Sequence, residues 1–63
     1  MPESSEVQNH LGIAYEAEGR DAEALAAWQR AVALDCGNEA AQRNVRAAEA
    51  RRAKAALPDP SAH

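Results

Sequence analysis

Few side chains in this chain are equipped for chemistry, and their spacing narrows what that chemistry could be. His10 stands beside Asn9 in a helix-forming stretch, with Ile13 and Ala14 at i+3 and i+4, where a metal-binding helix would carry a second ligand. A metal centre needs three or four converging ligands, so His10 reads as a surface histidine. Cys36 is the single cysteine. It excludes an internal disulfide framework and a multi-cysteine metal site, and no basic residue adjoins it to favour the thiolate, so it reads as a loop residue. His63 falls in a C-terminal tail. No Ser/His/Asp arrangement, glycine-rich phosphate loop or buried carboxylate pair can be traced. The expectation is a protein that is not an enzyme, with no catalytic residue, no metal and no cofactor.

The remaining chemistry is charge. Residues 1–35 carry seven acids and two bases, net −5, while residues 36–63 carry three acids and five bases, net +2. The bases cluster as Arg43, Arg46, Arg51, Arg52 and Lys54, interrupted by Glu49 and preceded by Glu39. A nucleic-acid surface would call for a broader positive face with aromatics for stacking, so a solvated helix face is the simpler reading. No apolar run is long enough to cross a bilayer, and the first twenty residues lack the basic-then-apolar layout of a secretory signal. The expected compartment is cytoplasmic.

These groups must be held by a small scaffold. Sixty-three residues make one domain at most, near the lower limit for a self-sufficient core. The bulky apolar residues are few: Val7, Leu11, Ile13, Tyr15, Leu25, Trp28, Val32, Leu34, Val45 and Leu57. At about 1.5–3 kcal/mol for each large side chain fully buried, they offset part of the entropy lost on ordering. Alanine, leucine, glutamate, glutamine and arginine dominate, which predicts an all-α fold.

Three helices follow from the punctuation. Either Ser4 or Ser5 can cap helix A, Ser5 with Gln8 resembling a capping box, and the helix runs to about Glu18. Val7, Leu11, Ala14, Tyr15 and Glu18 trace its i, i+4, i+7, i+8 stripe. Gly19 ends that helix and Asp21 caps helix B over about 22–35. Ala24, Leu25, Trp28, Ala31 and Val32 form the buried face of helix B. Asn38 caps helix C, which runs from Glu39 to Ala56 and stops before Leu57-Pro58. Shifted by 34 residues, Gln8 falls on Gln42, Leu11 on Val45 and Ala14 on Ala48. Gly12, Tyr15 and Ala17 become Arg46, Glu49 and Arg51, so helix C keeps the inner pattern and turns its outer face polar. Arrays of helical repeats end in this way.

Leu11, Gly12, Tyr15, Gly19, Ala24, Trp28 and Ala31 together resemble a tetratricopeptide repeat (TPR), with Trp28 where the family usually has phenylalanine or tyrosine. Gln8, Cys36 and Asp21 depart from the family's pattern. The resemblance covers residues 5–38 as one helix pair, with 39–57 as a solvating, capping helix. Residues 1–4 would be a lead-in and 58–63 a disordered tail. It implies a three-helix antiparallel fold with a core of Leu11, Gly12, Tyr15, Ala24, Leu25, Trp28, Ala31, Val32 and Val45. It also implies a non-catalytic adaptor or scaffold that binds a peptide or protein on a groove between helices A and C. By position the concave residues are Glu6, Asn9, Ile13, Glu16 and Ala17, with Ala40, Arg43, Asn44, Ala47 and Arg51. Of these, Asn9, Ile13, Glu16, Arg43, Asn44 and Ala47 are the expected contacts. The alternatives are a homo-oligomer in which exposed Val7, Ile13 and Leu34 pair and acidic surfaces meet basic helix C, and contact of helix C with RNA or another anionic surface.

Overall fold

A computed structural model describes residues 4–56. Within them the chain is all-α, with helices α1 (Ser5–Ala17), α2 (Asp21–Leu34) and α3 (Glu39–Ala56). Residues 1–3 of the lead-in, Leu57, and the tail 58–63 with His63 lie outside the described residues. Consecutive helices run antiparallel. Contacts between α1 and α2 pair rising with falling residue numbers (Ser5 with Ala31, Asn9 with Trp28). Contacts between α1 and α3 pair rising with rising numbers (Asn9 with Asn44, Glu16 with Arg51).

The ends of the helices follow local chemistry. Ser4, not Ser5, caps α1: its backbone is extended and its hydroxyl accepts from the Val7 N–H at 3.5 Å. Ser5 is the first helical residue, and its hydroxyl is used elsewhere. The turn after α1 is a Schellman closure, with the Gly19 N–H donating to the Glu16 carbonyl (3.0 Å) and the Arg20 N–H to the Tyr15 carbonyl (2.9 Å). Gly19 sits at φ +78°, the left-handed conformation that residues with a Cβ resist. Asp21 does not cap α2; it lies inside the first turn with Glu23, where both carboxylates face the positive end of the helix dipole. Asn38 caps α3 as expected, its Oδ1 accepting from the Ala41 N–H at 3.1 Å.

The core is built around one aromatic ring. Trp28 is 1% exposed and packs with Ala24, Leu25 and Ala48, with Tyr15 and Val45 partly buried against this cluster. Gly12 is buried beneath the indole, and Val32 is half-buried. On α3 the fully covered side chains are Ala41 and Ala48, and on α2 they include Ala24, Ala27 and Ala31. Small residues on facing helices let the backbones approach closely, so a thin core forms from little apolar volume.

The stripe expected on α1 is rotated. Leu11, assigned to the core, is 39% exposed, and Val7, Ala14 and Glu18 are exposed too. The inner line is Ser5, Asn9, Gly12 and Tyr15. The reason is the indole: Trp28 needs the space that only Gly12 leaves open, and its Nε1–H donates to the Asn9 carbonyl at 3.1 Å. Turning Gly12 toward the tryptophan turns Leu11, one hundred degrees around the helix, toward solvent.

Candidate functional site

The candidate surface is the face shared by α1 and α3. Two rungs join the helices, each linking residues 35 apart. Asn44 Nδ2 donates to Asn9 Oδ1 at 2.8 Å, and two turns further on Arg51 donates to Glu16 Oε2 at 2.6 Å. Asn9 to Glu16 and Asn44 to Arg51 are both steps of seven residues, so the rungs hold the helices side by side in one register.

The six expected contact residues divide into two groups. Asn9 is only 8% exposed, with its carbonyl on Trp28 and its side chain on Asn44. It is part of the packing, and this corrects the expectation of a ligand-facing amide. Glu16 is occupied by Arg51, and the bond to Glu16 holds the Arg51 guanidinium above its ordinary range. Asn44 is half-buried. Ile13 (46% exposed), Arg43 and Ala47 are open to solvent. By helical spacing Ile13 lies between the two rungs on α1, and Ala47 lies between them on α3. The face is thus a small apolar step bounded by an amide pair at one end and an ion pair at the other, with Arg43 beside it.

Sequence reasoning gave Ser5 a capping role and missed its links to the other two helices. Its hydroxyl donates to the Ala31 carbonyl at 2.7 Å and accepts from Asn38 Nδ2 at 2.9 Å. Asn38 in turn caps α3 through its Oδ1. One hydroxyl therefore ties the start of α1 to the end of α2 and, through Asn38, to the start of α3. A serine and an asparagine 33 residues apart give no local signal of this link, because both types are also ordinary caps.

Other groups fall as follows. His10 and Cys36 are exposed. Among the described residues, no group of three His, Cys, Asp or Glu comes together as a metal site would require, and no helix is long and apolar enough to cross a membrane. Of the basic residues on α3, Arg43, Arg46, Arg51, Arg52 and Lys54 are all exposed, and Arg51 is tied to Glu16. Arg51 and Arg52 also line a small cleft with Asp21 and Ala48. At the turn between α1 and α2, Arg20 stacks over the Tyr15 ring at 4.8 Å and bonds to Glu23 and Glu18.

Comparison with known proteins gives no match to a family model, a curated protein or a solved structure.

Proposed function

We propose that this chain is a non-catalytic protein-interaction module, a TPR-like helix pair over residues 5–38 closed by α3 as a covering helix, that binds an extended peptide or protein segment across α1 and α3. The observation that carries the reading is the double rung Asn9–Asn44 and Glu16–Arg51, which aligns two parallel helices. The 34-residue echo between helix A and helix C supports the reading separately, its offset being one residue short of that of the rungs.

The roles of the residues follow from their exposure. Ile13 supplies an apolar contact, Ala47 leaves room beside it, and Arg43 can donate to a carboxylate or to backbone carbonyls. Asn9 and Glu16 position the helices and do not reach the ligand. A ligand lying across one such step buries a small area, so modest affinity is expected, in the micromolar range or weaker. The bases of α3 are preceded by Glu39 and interrupted by Glu49, and Arg51 is engaged by Glu16, so RNA contact ranks behind peptide binding.

A peptide library displayed against the immobilised chain tests this, with the enriched peptide then titrated into isotope-labelled protein. The expected result is amide-shift changes centred on Ile13, Arg43 and Ala47, with binding lost in Ile13→Asp while helical circular dichroism is unchanged. An absence of enrichment, or shift changes confined to other faces, would refute the reading.

A further inference from the structure

The bases of this chain fall into two groups. Of the seven, Arg20 bonds to Glu23 and Glu18, Arg51 bonds to Glu16, and Arg30 is engaged as well. Arg43, Arg46, Arg52 and Lys54, all exposed on α3, form no ion pair among the described residues. Two of these four stand on one line. Arg43, Ala47, Ala50 and Lys54 follow one another at steps of four, three and four residues, so they make a single exposed stripe along α3. The stripe adjoins the rungs: Ala47 is three residues after Asn44 and Lys54 three after Arg51, about 60° around the helix from them. Ile13 of α1, 46% exposed, lies between the same rungs.

The stripe therefore has an apolar middle and a free cation at each end. Arg43 and Lys54 are separated by three turns, about 16.5 Å along the axis. An extended chain covers that distance in about five residues at about 3.3 Å each. Ala47 and Ile13 come about two residues of extended chain from Arg43. The free acids near this face lie outside the interval. Glu39 is one turn before Arg43 on α3, and Glu6 is two turns before Ile13 on α1. Glu49 is turned about 100° from Ala50, away from α1. We infer that the segment bound on this face is acidic. It places one carboxylate on Arg43, an apolar side chain about two residues away against Ile13 and Ala47, and a second carboxylate on Lys54 about five residues from the first. This rests on the peptide-binding reading of the α1/α3 face and adds the charge and spacing of the ligand.

The flexible stem of Lys54 lets it reach a carboxylate on either side of the extended segment. Phosphates could also meet the two cations, but the rest of the face suits a nucleic acid poorly. Single strands are held by aromatic platforms as well as by charge. The single tryptophan and single tyrosine of this chain lie in the core and against it. The middle of the stripe offers alanine and isoleucine instead. The other two free bases do not widen it. Arg46 is turned about 60° from Arg43, away from α1, and Arg52 lines the cleft with Asp21.

Selection of random displayed peptides on the full chain and on Lys54→Glu, at about 0.15 M salt, tests the inference. The peptides enriched on the unmodified chain are expected to carry two acids about five residues apart with an apolar residue between them. Lys54→Glu should weaken the leading peptide about fivefold or more, as should Asp→Asn or Glu→Gln at the matching position of the peptide. Arg46→Glu, off the stripe, should change affinity by less than about twofold. Peptides that shift Ile13 and Ala47 but carry no excess of acids overturn the inference and leave the peptide-binding reading standing. An affinity unmoved by Lys54→Glu does the same. No enrichment at all overturns both. A labelled oligouridine that binds more tightly than the leading peptide, and is weakened by Lys54→Glu, overturns the inference in favour of a nucleic acid. If Lys54→Glu lowers the helical circular dichroism, the substitution in the peptide decides alone.

Discussion

A Cβ atom added to Gly12 would lie 2.4 Å from Nε1 of Trp28, and 2.6 and 2.7 Å from Cδ1 and Cε2 of the same ring. The indole rests directly on the backbone of α1. It is fixed there by its hydrogen bond to the Asn9 carbonyl, so it cannot slide aside without losing that bond. Glycine in a helix interior costs about 1 kcal/mol relative to alanine, and α1 accepts that cost to seat the ring.

Gly12→Ala is therefore expected to destabilise the chain despite its better helix propensity, by about 1–3 kcal/mol from overpacking. Combining it with Trp28→Leu should recover part of the loss, because the smaller side chain vacates the volume that the new methyl enters. Urea denaturation of the two single variants and the double variant checks this as a double-mutant cycle. Strictly additive effects would mean that Gly12 and Trp28 are not in contact.

Trp28→Ala is expected to leave the chain largely unfolded at room temperature. Truncating a buried aromatic costs about 3–5 kcal/mol, and a domain of this size has little stability in reserve. Trp28→Phe should be milder, retaining much of the volume but not the bond to Asn9. A Trp28→Ala variant with its helical signal intact and its melting temperature within a few degrees of the parent would show that the ring is not the core.

Ser5→Ala is expected to cost about 1–3 kcal/mol, because Asn38 Nδ2 is left without its part-buried acceptor. Asn38→Ala removes the same bond together with the α3 cap, itself worth about 1 kcal/mol. Since the two residues share one link, the double variant should cost less than the sum. Ser4→Ala, which removes only the long cap bond to Val7, should be the mildest of the series. Thermal denaturation of all four variants separates these cases.

Leu25 and Leu11 are the same residue type at different depths, so their truncations should diverge. Leu25 is 4% exposed, and Leu25→Ala is expected to cost about 2–5 kcal/mol. Leu11→Ala should cost less than about 1 kcal/mol. Equal losses would return Leu11 to the core.

Gly19→Ala is expected to cost about 1 kcal/mol, because φ +78° is strained for a residue with a Cβ. Nothing lies within 4 Å of the added atom, so the loss is backbone strain alone. Gly19→Asn should be milder, since asparagine enters the left-handed region more readily. Chemical denaturation of both variants against the parent makes the comparison.

The amino-acid sequence alone determined the parts that depend on local preference. Helix-forming composition and the breaks at Gly19 and near Gly37 and Asn38 placed three helices, and α3 begins where the sequence predicts. Trp28, Ala24, Leu25 and Ala31 were legible as buried because α2 has a single apolar face. Tertiary structure decided the rotation of α1. Leu11 and Gly12 are neighbours, and a hydrophobicity pattern favours the leucine for the inside, but the indole needs the side-chain-free position. Tertiary structure also decided which polar groups are spent on holding the fold. Asn9, Glu16 and Ser5 look like surface residues when read along the chain. Their partners Asn44, Arg51 and Asn38 stand 33 to 35 residues away, and no local spacing encodes a pairing that exists only once three helices have met.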